Sequence, residues 1–149
     1  MAEYLYNEVQ SVLLNQAAIF NNSIPCPRGN VFHEGGTGTF TLRGRTCNAF
    51  ARYQVDYFGN VSVPTGGAAG PIALALAVNG ETRPSSRSIA TPAAVNQYFS
   101  VSSGAIIDVP AGCCTSISLR SVPASDDPTV VPAPVINAQN LNIRITRIA

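Results

Sequence analysis

Hydrophobic and polar positions alternate along much of the chain. Leu141, Ile143 and Ile145 alternate with Asn142, Arg144 and Thr146. Ala51, Tyr53, Val55 and Tyr57 alternate with Arg52, Gln54, Asp56 and Phe58, opening a long strand that runs through Val61 and Val63 to Pro64. Ile117 and Leu119 alternate with Ser116, Ser118 and Arg120. A period of two sends successive side chains to opposite faces, so these segments predict half-buried strands of an antiparallel sheet. No helical period lasts beyond two turns.

Turn residues punctuate the strands. Asn79-Gly80 follows the apolar run Ile72–Val78 and predicts a tight hairpin, because both residues tolerate positive φ. Thr65 to Pro71 is a glycine-rich connection, and Pro84, Pro92 and Pro110-Ala111-Gly112 mark further bends. Val9, Leu13, Ala17 and Phe20 nearly share a helical face, yet Asn21-Asn22 and Pro25 close the segment and its neighbours are strands. Two strand pieces broken at Asn15-Gln16 are therefore the expectation. Ser121 to Pro134 is a proline-rich excursion, expected as an extended surface loop because a strong strand follows it. About eight to ten strands without an intervening helix predict an all-β antiparallel sandwich or jelly roll.

The 149 residues suit one domain. Residues 1–25 form an N-terminal arm or first strand of that domain, and residues 26–149 its jelly roll with the loop 121–134. Apolar residues make up 46% and charged ones only 11%, against about 25% charged in an average domain. So sparse a charge suggests a surface covered by something, most simply by copies of itself. All nine basic residues are Arg, the cation favoured at interfaces. A net charge of +1 without a basic cluster argues against nucleic acid. Ile72–Val78, the longest apolar stretch, is too short to span a bilayer, and residues 1–6 lack a signal peptide's basic start. No membrane partner is expected, and synthesis is expected in the cytoplasm.

Candidate chemistry is thin. His33 is the sole histidine, and Glu34 beside it points to the opposite face of an extended segment. No Gly-x-Ser-x-Gly elbow marks a nucleophile, so His33 is read as structural and no catalytic residue is assigned. Asp126-Asp127 is the one carboxylate cluster and reads as solvated turn residues, a weak calcium signal. Gly66, Gly67 and Gly70 lack the Lys and Ser/Thr of a phosphate loop. Cys26, Cys47, Cys113 and Cys114 lack zinc spacing, so no metal or cofactor is expected. Cys26 and Cys47 could form a disulfide across a loop, although four reduced thiols is the simpler reading. The adjacent Cys113 and Cys114 cannot bridge without strain. Among the aromatics, Tyr53 and Tyr57 share one strand face, Phe50 and Phe58 the other, and Tyr98-Phe99 sit together. Tyr53, Tyr57, Tyr98 and Phe99 are the candidates for a subunit interface.

Four stretches carry a resemblance: Val61 to Glu81, Thr91 to Val101, Ile107 to Thr115, and Asn137 to Ile143. With the opening Met-Ala-Glu-Tyr and Thr41-Leu-Arg-Gly44, they resemble small proteins encoded by phages and prophages of gut Firmicutes. Those proteins look like jelly-roll heads of the tumour-necrosis-factor and complement type. The resemblance implies a homotrimer whose N-terminus lies near its attachment side, in a virion. The implied role is a capsid decoration protein or a head or tail fibre component, with the major capsid or fibre protein as partner. Tyr4, Leu5, Tyr6 and Val9 are the expected core of the attachment arm, since an edge segment can pair with a lattice strand. The Ser121–Pro134 loop departs from the group. The alternative function is a receptor- or glycan-binding adhesin using Pro64–Pro71, Asn79–Arg87 and Ser121–Pro134, although these loops hold no aromatic residue.

Overall fold

The structure, a computed structural model, describes residues 1–24, 29–44, 49–112 and 114–149. Twelve strands occur among them: β1 (Ala2–Tyr6), β2 (Gln10–Leu13), β3 (Asn22–Ile24), β4 (Val31–His33), β5 (Phe40–Arg43), β6 (Phe50–Ser62), β7 (Ile72–Val78), β8 (Glu81–Thr82), β9 (Ser88–Ala90), β10 (Phe99–Pro110), β11 (Cys114–Val122) and β12 (Val135–Arg147). A three-residue 3-10 turn, Pro84–Ser86, is the sole helical element described. The count exceeds the expected eight to ten because β3, β4, β8 and β9 are two- or three-residue edge pieces, too short to show a period.

Two antiparallel sheets face each other. The first runs β10-β6-β12-β1-β3, with β2 on the early part of β12; the second runs β4-β5-β11-β7-β8, with β9 on β7. Between them lie Tyr53, Val55 and Tyr57 of β6, Ile143 and Ile145 of β12, Phe40 and Leu42 of β5, Leu74 and Leu76 of β7, and Ile117 and Leu119 of β11. Burying each large aliphatic side chain contributes roughly 1.5–3 kcal/mol. Asn79 and Gly80 both have positive φ and join β7 to β8, as the dipeptide predicts. Val9 to Phe20 is extended: β2 ends at Leu13, Asn15 turns with φ 64°, and single bridges follow at Ala17 and Phe20.

One irregularity reorients β12. Ile136 and Ala138 face the core before it, and Leu141, Ile143 and Ile145 after it. The register shifts between Gln139 and Asn142, where Asn140 takes φ 55°. One extra residue at this bulge reverses the parity, so both halves bury their apolar side.

The N-terminal segment is not a free arm. β1 pairs with β12 on one side and β3 on the other, so its backbone has no open edge for another strand. Tyr4 is buried against the rings of His33 and Phe40, with centroids 4.9 and 4.7 Å away. Leu5 and Tyr6 are half-buried, and Val9 is exposed in the turn before β2. Tyr53 and Tyr57 are likewise no subunit contacts, because both are wholly buried in the protomer's own core. The Tyr53 hydroxyl donates to Arg43 O at 2.6 Å. The Tyr57 hydroxyl lies 2.6 Å from Ser86 O and 2.9 Å from Leu74 O. Their polar tips find main-chain acceptors across the sandwich, so the rings can sit deep in the core.

Candidate interaction surface

The outward face of the first sheet is built by the residues that alternate with this core. On β6 these are Phe50, Arg52, Gln54, Asp56, Phe58 and Asn60. Pairing with the neighbouring strands arranges them in rows across the sheet. One row reads Gly104, Asp56, Arg144, Glu3, Ile24. The next reads Ser102, Phe58, Asn142, Leu5, Asn22. Toward the other end come Ile106, Gln54 and Thr146, then Asp108 and Arg52, then Pro110 and Phe50.

Charges on this face are mostly matched. Arg52 holds Asp108 in a two-pronged pair, Nε to Oδ1 at 2.7 Å and Nη2 to Oδ2 at 3.1 Å. That hydrogen bond keeps the Asp108 carboxyl below the usual carboxylate range and raises Arg52 in turn. Arg144 reaches Glu3 at 3.5 Å, and Glu3 also accepts from the Asn142 amide. The two guanidiniums lie over aromatic rings, Arg52 above Phe50 at 5.1 Å and Arg144 above Phe58 at 5.2 Å. Asp56 differs: its Oδ2 accepts from Gln54 Nε2 at 3.1 Å, and no arginine among the described residues pairs with it. Between the pairs stand exposed apolar side chains, with Phe50 40%, Phe58 39% and Ile106 47% accessible.

The second sheet's outward face has another character. Ala73, Ala75 and Ala77 of β7 point outward yet are buried. Ala124, at the start of the proline-rich loop, packs with Val122 against Ala73 and Ala75. Arg87 fastens the loop by donating to Pro123 O and Asp126 Oδ1, each at 3.2 Å. Beyond that anchor the loop is a surface excursion, with Val131 88% exposed. Its last residues join Val63 to Ala68 around a hollow of about 270 Å³.

The remaining candidates are scattered. Tyr98 and Phe99 are exposed at the start of β10. His33 stacks on Phe40 at 4.4 Å, and its Nε2 lies 3.0 Å from Thr37 O, a packing role. Asp127 accepts from the amide and hydroxyl of Thr129, which holds its carboxyl below the usual range as part of a loop turn. Cys26 and Cys47 lie outside the described residues, as does Cys113; Cys114 is exposed and unbridged. No three His, Cys, Asp or Glu side chains gather among the described residues, and no described helix is long and apolar enough to cross a membrane. On β6, Tyr53 and Tyr57 face the core, and Phe50 and Phe58 face out. The signal was present, since Phe50 and Phe58 share parity with Arg52 and Asp56, and the side carrying charges is the side that faces out.

No protein-family model matches the chain, and no curated protein matches it. Solved structures do. The globular domain of a zebrafish complement 1qA protein is 15% identical with a TM-score of 0.59, covering 96% of this chain and 94% of that one. The Eiger tumour-necrosis factor of S. frugiperda is 11% identical with a TM-score of 0.63, covering 100% and 92%. Murine APRIL is 10% identical with a TM-score of 0.56, covering 96% and 97%. Likeness at such identities speaks for architecture alone: the chain folds as a jelly-roll sandwich similar to the complement and tumour-necrosis-factor heads.

Proposed function

We propose that this protein is a non-enzymatic structural module that forms a homotrimer and serves on the outside of a phage particle, as a capsid decoration protein or a head or tail fibre component. The observation that carries the self-association is the outward face of the first sheet. Phe50, Phe58 and Ile106 stand exposed there between the ion pairs Arg52–Asp108 and Arg144–Glu3. Apolar side chains set among fixed charges give both attraction and register to a second copy. The jelly-roll fold agrees with a trimer, as does a chain only 11% charged. The virion role rests on the resemblance of Val61–Glu81, Thr91–Val101, Ile107–Thr115 and Asn137–Ile143 to phage-encoded proteins. With β1 locked inside the sheet, attachment falls to exposed loops or to the edge strand β3 rather than to an N-terminal arm.

Light scattering on the purified protein tests the assembly. A mass near three times 15.6 kDa is expected, and a single-chain mass at every concentration would refute it. The virion role is checked by probing purified phage particles with an antibody to the chain. A second reading, a receptor- or glycan-binding adhesin, draws on the uncharged hollow between Val63–Ala68 and Ala133–Val135. Saturation by a soluble glycan, lost on substituting Gly67 with Trp, is its expected signature.

A further inference from the structure

The self-association proposed above leaves Asp56 in an unusual position. Its row-mate Arg144 turns to Glu3 and the Phe58 ring, and Arg52 is taken by Asp108. Asp56 instead lays its carboxylate across Gly104 of the edge strand β10. A Cβ built on Gly104 would overlap Asp56 Oδ1 and come within 2.8 Å of Val55 O, so any other residue would displace the carboxylate. Gln54, Asp56, Gly104, Ala105 and Ile106 thereby outline an open hollow of about 420 Å³ with one carboxylate in it. Covering this face with another copy would strip water from that carboxylate, which is costly unless a cation comes with it.

The chain can supply the cation. Of nine arginines, Arg28 and Arg45 lie outside the described residues, and Arg52, Arg87 and Arg144 are paired with carboxylates. Arg43 and Arg120 belong to the second sheet, and Arg147 donates to Ala149 O at the far end of β12. Arg83 remains. It is half-exposed beside the edge of the first sheet, and its Nη1 donates to Ile106 O of β10 at 2.8 Å. That contact uses one of five guanidinium N–H groups, so the others are free to reach beyond the protomer while the edge strand stays capped. Arg83 shares the field of Asp108 with Arg52, which holds that carboxylate, while Asp56 on the face has no arginine partner among the described residues.

The geometry points to a head-to-tail contact in which Arg83 of one copy enters the Asp56–Gly104 hollow of the next, closing a ring of such pairs. Each copy donates at its edge and receives on its face, the complementarity a cyclic assembly needs. The inference rests on the self-association reading, and one experiment separates the two. The mass by light scattering, over a dilution series, is compared for the wild type, Asp56→Arg, Asp56→Asn, Arg83→Asp, Gly104→Ala and the charge-exchanged double variant Asp56→Arg/Arg83→Asp. Circular dichroism verifies folding, and Asp56→Asn, which keeps the side chain's shape, serves if Asp56→Arg does not fold. Each single variant is expected to weaken assembly, the charge reversals by roughly thirtyfold or more, with the double variant recovering most of the loss. A wild type that stays single removes the self-association reading, and the pair with it. A trimeric wild type with equally trimeric Asp56 and Arg83 variants overturns the pair alone. Weakened single variants without recovery in the double variant overturn Arg83 as the occupant.

Discussion

Replacing Tyr57 with phenylalanine removes one oxygen from the centre of the sandwich. The ring is 1% exposed, and its hydroxyl sits 2.6 Å from Ser86 O and 2.9 Å from Leu74 O. Ser86 in turn accepts the Leu76 amide on its Oγ at 2.9 Å, so the hydroxyl ties the Pro84–Ser86 turn to the core strand β7. The phenyl ring fills the same space, and the loss is therefore that of the hydrogen bond and of the buried carbonyl left without it. Such a loss costs about 1–3 kcal/mol. In a domain of this size that lowers Tm by about 3–10 °C. The assay is urea and thermal unfolding of both forms at one matched concentration, since self-association makes Tm concentration-dependent. An independent sign comes from pH. Burial pushes the Tyr57 hydroxyl above its ordinary value of 10.0. Between the unfolded and folded ionisations the unfolded chain loses a proton that the folded chain keeps, so stability declines as pH rises past about 10. The phenylalanine form lacks this term and should decline less steeply in alkali. A loss under about 0.5 kcal/mol, or parallel alkaline limbs, would refute the account of Tyr57 as a buried tie.

Further tests address separate features. Gly59→Ala sets a Cβ within 2.5 Å of Leu141 Cδ2 and 3.3 Å of its Cα, and should cost about 1–3 kcal/mol in urea unfolding. Asp108, held low by Arg52, contributes stability above its unfolded value of 3.8 that is lost as pH falls through its depressed folded value. Arg52→Ala should raise the Asp108 midpoint in an NMR titration; an unmoved midpoint would discount the pair. Val131→Ser, at the exposed tip of the proline-rich loop, should leave the unfolding midpoint within about 0.5 kcal/mol of the parent.

The parts legible in the sequence are those where one local rule acts alone. Alternation in Ala51–Tyr57 and Leu141–Ile145 gave faces as well as strands, and Asn79-Gly80 gave its hairpin. Other parts depend on partners distant along the chain. The first half of β12 alternates in the opposite phase, and only the bulge at Asn140 reconciles the two halves. Ala73 and Ala75 point outward like surface residues, but Val122 and Ala124, some fifty positions later, pack with them. Tyr53 and Tyr57 suited an interface by residue type; their hydroxyls find the carbonyls of Arg43, at the end of β5 on the opposite sheet, and of Ser86, in a short turn that no periodicity locates. Asp56 was legible as an outward residue of β6, while its lack of an ion pair among the described residues and the hollow over Gly104 emerge only when β6 is aligned with its neighbours.

The pairing of β1 with β12 also governs when the molecule can fold. Ala2 sits opposite Ile145 and Tyr6 opposite Leu141, and β6 too takes β12 as a direct neighbour. The strand at the heart of the first sheet is thus synthesised after the other eleven described strands. Until it emerges from the ribosome, β1 can pair only with the short β3 and β6 only with β10, and the two halves of the sheet stay unjoined. Contacts so distant along the chain demand large loop closures before they reward them, which slows folding and lengthens the interval in which strand edges are exposed. Overproduction of the protein should therefore run into aggregation during synthesis, and slower translation at low temperature should raise the soluble yield more than a gain in final stability would.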